Sequence, residues 1–177
     1  MLTKDNNYKV MRLFFLAPEK RFHIRELARL TKLSPPGVTK ILKRLKKAGL
    51  LISKRYKNLE EFEISRIDKY YREKVRYNIE SLFASGLMDF LRDKYDEPQA
   101  IILFGSYSNG MDISISDIDI AVITKLDKSD KLDFRKYSKQ LGREINVMEI
   151  EIKHSGNGFL NNLANGIKLH GYVEWVK

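Results

Sequence analysis

The stretch that most restricts the fold runs from Ala100 to Ile123. It opens with Ala100-Ile101-Ile102-Leu103-Phe104, breaks at Gly105-Ser106, and resumes as Asp117-Ile118-Asp119-Ile120-Ala121-Val122-Ile123. Five apolar residues without alternation, ended by a glycine, read as a short buried strand. The second run reads as another strand, on which Asp117 and Asp119 share one face while Ile118 and Ile120 pack on the other. Two carboxylates held side by side repel each other unless a cation sits between them. Magnesium carrying a bound phosphate suits that place, because it takes one or two carboxylates plus substrate oxygens. Gly105 lets backbone N–H groups approach a phosphate, and the Ser106 hydroxyl adds a donor. Gly105 to Gly110 has the spacing of a P-loop start, but Met111-Asp112 stands where Lys-Ser/Thr is required.

The phrase LFGSYSNGMDISISDIDIAVI resembles the signature of the DNA polymerase β-type nucleotidyltransferase superfamily, in particular its minimal prokaryotic members. The resemblance covers residues 99–177. It implies that Gly105 and Ser106 hold a nucleoside triphosphate, ATP first among them, and that Asp117 and Asp119 bind Mg²⁺. The family also carries a third carboxylate on a later strand, and here that position is Asn146, within Arg143-Glu144-Ile145-Asn146-Val147-Met148-Glu149. An asparagine offers a carbonyl oxygen to a metal but adds no charge and cannot act as a base. The resemblance implies Asp117, Asp119 and Asn146 as the catalytic positions. Glu144 falls on the same strand face and is the available substitute, while Glu149 falls on the other face. Residues 129–141 read as a helix ended by Gly142, and 144–152 as a strand. Residues 159–169 read as a helix through Leu160, Leu163, Ala164 and Ile167, followed by a short tail at 172–176. His23, His154 and His170 have no metal-ligand spacing.

The chain's positive charge lies elsewhere. Residues 1–66 hold 17 Lys/Arg against 6 Asp/Glu, whereas residues 99–177 hold 10 of each. A localised positive field suits a polyanion. Residues 5–17 and 24–30 carry apolar groups at helical spacing, and Pro18 stops the first run. Ser34 is a good N-cap for a third helix with Pro35 at its first position. That helix turns Val38, Ile41, Leu42 and Leu45 inward. Residues 50–55 and 61–65 read as strands joined at Lys57-Asn58. Three short helices and a hairpin, through SPPGVTKILKRLKKAGLLISKRY, resemble a winged helix-turn-helix of the MarR/ArsR kind. The resemblance implies a third helix in the major groove of duplex DNA and a hairpin tip against phosphates. Thr39, Lys40, Lys43, Arg44, Lys47, Lys54, Arg55 and Lys57 are the candidate contacts. Pro36 and Gly37 offer no side-chain donor to a base, so backbone attraction outweighs base readout. Winged helices also serve as protein-interaction modules.

Between the two, residues 67–98 read as one long helix or two broken at Gly86. Tyr70, Tyr71 and Tyr77 read as core or dimer contacts before base-stacking groups. The apolar stripe along 70–91 exceeds what one small domain covers, which points to a homodimer. The absence of cysteine excludes disulfide, zinc-finger and thiol chemistry. The longest apolar runs are far short of the ~18 residues that span a bilayer, and no signal core is visible, so no membrane association and a cytoplasmic location are expected. The whole reads as an α+β chain: a winged helix over 1–66, a helical connector over 67–98, and a small α/β domain with a mixed sheet over 99–177. Two functions follow. One is Mg²⁺-dependent transfer of a nucleoside monophosphate to a hydroxyl, including one on a HEPN-type toxin partner. The other is a DNA-binding regulator whose second domain binds nucleotide or a partner without turnover.

Overall fold

The computed structural model describes residues 5–57, 59–125 and 132–174. The chain forms two compact units, Met1–Lys74 and Val75–Lys177.

In the first unit, α1 (Asn6–Leu16) is capped by Asp5, whose side chain accepts from the backbone of Asn7 and Tyr8. Strand β1 (Phe22–His23) leads into α2 (Ile24–Thr31), and α3 spans Pro35–Lys47 behind the Ser34 cap. A hairpin follows, β2 (Leu51–Tyr56) and β3 (Leu59–Ile64), with β1 on the outer side of β3. The expected turn residue Asn58 lies outside the described residues. Val10, Phe14, Leu27, Val38 and Leu42 form the buried centre. The Tyr70 hydroxyl donates to the Phe14 carbonyl at 3.1 Å, and its ring packs edge-on against Tyr71. Tyr70 and Tyr77 are buried, as core residues.

Helix α4 (Asp68–Ser85) ends at Gly86, which turns the chain at φ +79° into α5 (Leu87–Lys94). In the second unit β4 (Ala100–Phe104) is buried throughout and pairs antiparallel with β5 (Ile118–Ile123). Helix α7 (Arg135–Leu141) crosses over to β6 (Ile145–Ile150), which runs parallel to β5. After α8 (Asn157–Ala164), β7 (Ile167–Gly171) returns antiparallel on the far side of β4. The sheet order β6-β5-β4-β7 is mixed, as expected. One face packs Leu82, Leu87 and Leu91 of α4 and α5 with Tyr137 and Leu141 of α7; the other packs Ala121 and Ile150 under Leu163 of α8.

Three sequence expectations are corrected, and one short element is added. The helix expected over 159–169 stops at Ala164, and residues 167–171 form the last strand in place of the expected tail at 172–176. Gly166 permits that change, since the chain passes so close to β4 that a Cβ there would stand 2.6 Å from the Leu103 carbonyl oxygen. Residues 175 and 176 of the expected tail lie outside the described residues. The polar stretch after Gly105 contains a short helix, α6 (Gly105–Asn109). The helix expected over 129–141 begins at Arg135; residues 129–131 lie outside the described residues. The apolar stripe along 70–91 is largely covered by the chain itself, with Leu82, Leu87 and Leu91 fully buried and Phe83 half exposed.

Candidate functional site

Register places the chemistry-bearing residues. Asp119 lies opposite Phe104 on one side and opposite Asn146 on the other. Asp117 stands one residue ahead of β5 rather than within it. Gly105 follows β4 directly, at φ +71°, and a Cβ there would stand 2.6 Å from Asp119 Oδ2. A glycine suits the turn there, since any Cβ would be strained at this φ and would push the Asp119 carboxylate aside. Ser106 is half-buried, and its hydroxyl has no hydrogen-bond partner among the described residues.

Asn146 brings the two aspartates together. Its Nδ2 donates to Asp117 Oδ2 at 3.2 Å and to Asp119 Oδ1 at 3.3 Å, on an exposed rim. The amide hydrogens supply part of the counter-charge that two adjacent carboxylates need. Turned about its last bond, the same amide presents its carbonyl oxygen to the same place. Two carboxylates and one amide oxygen are hard donors, and they fit a single Mg²⁺ that keeps water and substrate oxygens in its remaining positions. Among the described residues no group of three His, Cys, Asp or Glu side chains is placed to hold a metal. Glu144 sits just before β6, where its carbonyl accepts from the Ile118 amide at 2.8 Å. Its side chain lines a cleft of about 800 Å³ beside Asp117, with Ile115, Phe134, Lys139 and Ile145. Glu149 pairs in register with Val122, on the face away from Asn146, as its spacing requires.

Behind the rim lies a cluster that sequence reasoning missed. Asp112 and Arg143 are buried and form an ion pair at 3.4 Å. Arg143 Nη1 donates to the carbonyls of Ser114 at 2.7 Å and Gly142 at 3.2 Å. Asn78 Nδ2 donates to Asp112 Oδ1 at 2.9 Å and to the Tyr107 carbonyl at 2.8 Å. Burial, ahead of the nearby Tyr77 and Asp112, pushes the Tyr107 phenol well above its ordinary range. An isolated Asp and Arg separated by thirty residues give no sequence signal of such pairing.

In the first unit, Lys40, Lys43, Arg44 and Lys47 lie exposed on α3 and make no ion pair among the described residues. Arg55 and Lys57 are likewise exposed at the hairpin end, with the Lys57 ammonium 5.7 Å from the Tyr56 ring centre. Thr39 is half-buried and donates its hydroxyl to the Pro35 carbonyl at 3.0 Å. Lys54 differs from the others, since Glu63 pairs with it at 2.5 Å and with Arg21 at 2.8 Å. The Lys54 hydrogen bond holds the Glu63 carboxyl below the usual carboxylate range. The hairpin stem is thus internally compensated at Lys54 and Arg21, unlike the four α3 cations and the two tip cations just named.

Residues 87–171 match the family model described as polymerase beta, nucleotidyltransferase, and residues 11–55 match that of the MarR family. Among solved structures, a point mutant of ZitR from Lactococcus lactis is 20% identical with a TM-score of 0.40, over 53% of this chain and 64% of its own. The adhesin competence repressor AdcR from Streptococcus pyogenes is 21% identical with a TM-score of 0.37, over 51% and 67%. The chain therefore spans less than two thirds of the ZitR chain. No curated protein matches. Among the described residues no helix is long and apolar enough to cross a membrane.

Proposed function

We propose, for a chain that joins a MarR-type winged helix to a nucleotidyltransferase domain of the polymerase β type, that it binds duplex DNA and transfers a nucleoside monophosphate from a triphosphate to a hydroxyl, whose oxygen bonds the α-phosphorus as pyrophosphate leaves and whose proton passes to water. The observation that carries this reading is the convergence of the Gly105 turn on Asp119 and of Asn146 on both aspartates. Asp117 and Asp119 would hold Mg²⁺. When bound, the ion neutralises charge on the phosphates and lowers the pKa of the attacking hydroxyl. The backbone of Gly105 and Ser106, with the Ser106 hydroxyl, holds the triphosphate, for which ATP is the first candidate. Asn146 orients the aspartates but takes no proton from the acceptor. Loss of a positioned base lowers a rate by ~10²–10⁴-fold, so transfer is slow.

The acceptor is a hydroxyl on a partner protein, with a HEPN-type toxin the partner class that the family resemblance suggests. Lys40, Lys43, Arg44 and Lys47 face DNA phosphates, supported by Thr39 and by Arg55 and Lys57 at the hairpin tip; Lys54 joins them only when released from Glu63. Pairing of two copies, so that two winged helices read two half-sites, completes the regulator. The protein acts in the cytoplasm. A second reading is favoured by the two hydrogen bonds of Asn146: the amide relieves carboxylate repulsion without a metal, and the domain then senses nucleotide or holds a partner without turnover. The test is label transfer from α-labelled triphosphates in Mg²⁺ to candidate partner proteins. Asn146→Asp raises transfer if the domain is a slowed enzyme, and Asp117→Asn abolishes it. Nucleotide binding with no transfer in either the parent or Asn146→Asp selects the second reading.

A further inference from the structure

We infer that Arg143 and Asp112 are positioning residues that fix Asp117 relative to the phosphate turn, an inference that rests on the nucleotide-site reading above. The loop 111–117 is the segment that links the Gly105–Ser106 turn to the carboxylates, and seven residues of loop have many conformations to choose from. Its near end is pinned by the Met111 amide, which donates to the Ser106 carbonyl at 3.0 Å. Its middle closes on itself, with the Ile113 amide donating to Ser116 Oγ at 2.9 Å and the Ser116 amide to the Ile113 carbonyl at 3.0 Å. What ties this local turn to the sheet is the Arg143 guanidinium. It holds the Ser114 carbonyl at 2.7 Å with one nitrogen and faces Asp112 at 3.4 Å with another. Both side chains are nearly sealed from solvent, at 5% and 1% exposure, so neither is a surface ion pair of small consequence.

Arg143 stands three residues before Asn146, and the Ile118 amide donates to the carbonyl of the intervening Glu144 at 2.8 Å. The Arg143 side chain therefore links the loop that delivers Asp117 to the segment that leads into Asn146, beside the backbone bond at Glu144. Asn78 braces the opposite side, since its amide spans Asp112 Oδ1 and the carbonyl of Tyr107 in α6. The arrangement needs the planar fork of an arginine, because a single ammonium cannot reach a carbonyl and a carboxylate in the directions that the guanidinium serves. Neither residue touches the nucleotide; both act through the loop.

The test compares the full-length parent with Arg143→Lys, which keeps the buried charge opposite Asp112 but loses the fork. Amide hydrogen exchange over residues 111–118 is read without nucleotide, and Mg–ATP affinity is read by calorimetry. The expected result is at least tenfold faster exchange confined to 111–118 and at least tenfold weaker Mg–ATP binding, with exchange in β4 and β5 beyond Ile118 unchanged. Unchanged exchange in the loop overturns the inference. Should Arg143→Lys unfold, the double variant Asp112→Asn with Arg143→Gln removes both charges together. Recovery of thermal stability with binding still tenfold down supports positioning, and joint recovery of both overturns it. A parent that binds no Mg–ATP overturns the functional reading itself, and the nucleotide-free exchange pattern tells that failure apart from failure of the positioning role.

Discussion

Gly105→Ala tests whether the turn and the carboxylate form one site. Two effects act at this position and a control separates them. The first is conformational: an alanine at φ +71° occupies the left-handed region, which costs about 1–2 kcal/mol, offset by roughly 0.5–1 kcal/mol of lost unfolded-state freedom. Gly86, at φ +79° with nothing within 4 Å of its added Cβ, carries the same conformational effect and no contact. A net loss of about 1 kcal/mol lowers the melting temperature of a domain near 100 residues by about 4–8 °C, and Gly86→Ala is expected to do this alone. The second effect belongs to Gly105. Ordinary contact begins near 3.4 Å, so a Cβ at 2.6 Å displaces the Asp119 carboxylate by about 0.8 Å. The Asp119 hydrogen bond to Asn146 is already 3.3 Å long and does not survive that shift. Misplacement on the order of 1 Å at a reacting centre costs roughly 10²-fold, so Mg–ATP binding should fall by ~10–100-fold in Gly105→Ala while Gly86→Ala binds as the parent does. Calorimetric titration of both variants checks this. Equal affinity in the two would refute the claim that the turn is built against Asp119.

Three other outcomes are expected. Lys43→Glu with Arg44→Glu abolishes duplex DNA binding at moderate salt, measured by fluorescence anisotropy, and the parent's affinity falls steeply as salt rises. Glu63→Gln releases Lys54 and Arg21, now held at 2.5 and 2.8 Å, and should tighten DNA binding severalfold with a steeper salt slope. The same carboxyl gives a pH signature. Its pKa is depressed in the folded protein, so its contribution to stability is present above the unfolded carboxylate pKa near ~4.3 and disappears as pH falls through the folded value. Thermal melts of the parent and Glu63→Gln should therefore differ at pH 6 and converge in acid.

Much of this was legible in the residues because local chemistry agreed with the tertiary outcome. The Ser34 cap, the Pro35 start, the Gly86 break and the apolar run at 100–104 each specify their element without help from distant contacts. Alternation along one strand put Asp117 and Asp119 on one face, and the family resemblance added Asn146; the register bears out the Asp119–Asn146 neighbourhood, although Asp117 lies just outside β5. The last strand was missed because Leu160, Leu163, Ala164 and Ile167 fit a helical period. What periodicity does not contain is the pairing of residues 167–171 with β4, for which Gly166 leaves room at the Leu103 backbone. Compensation of Lys54 by Glu63 and the burial of Arg143 against Asp112 are likewise products of strand register and loop closure, not of composition.

Titration of Mg–ATP into the parent and into Asp119→Asn tests most directly the proposal that Asp117 and Asp119 form a metal-dependent nucleotide site. Saturable binding by the parent that requires Mg²⁺ and disappears in Asp119→Asn, with the variant's melting curve unchanged, is the expected result. Binding that persists without Mg²⁺ or in Asp119→Asn, or no binding by the folded parent, would contradict it.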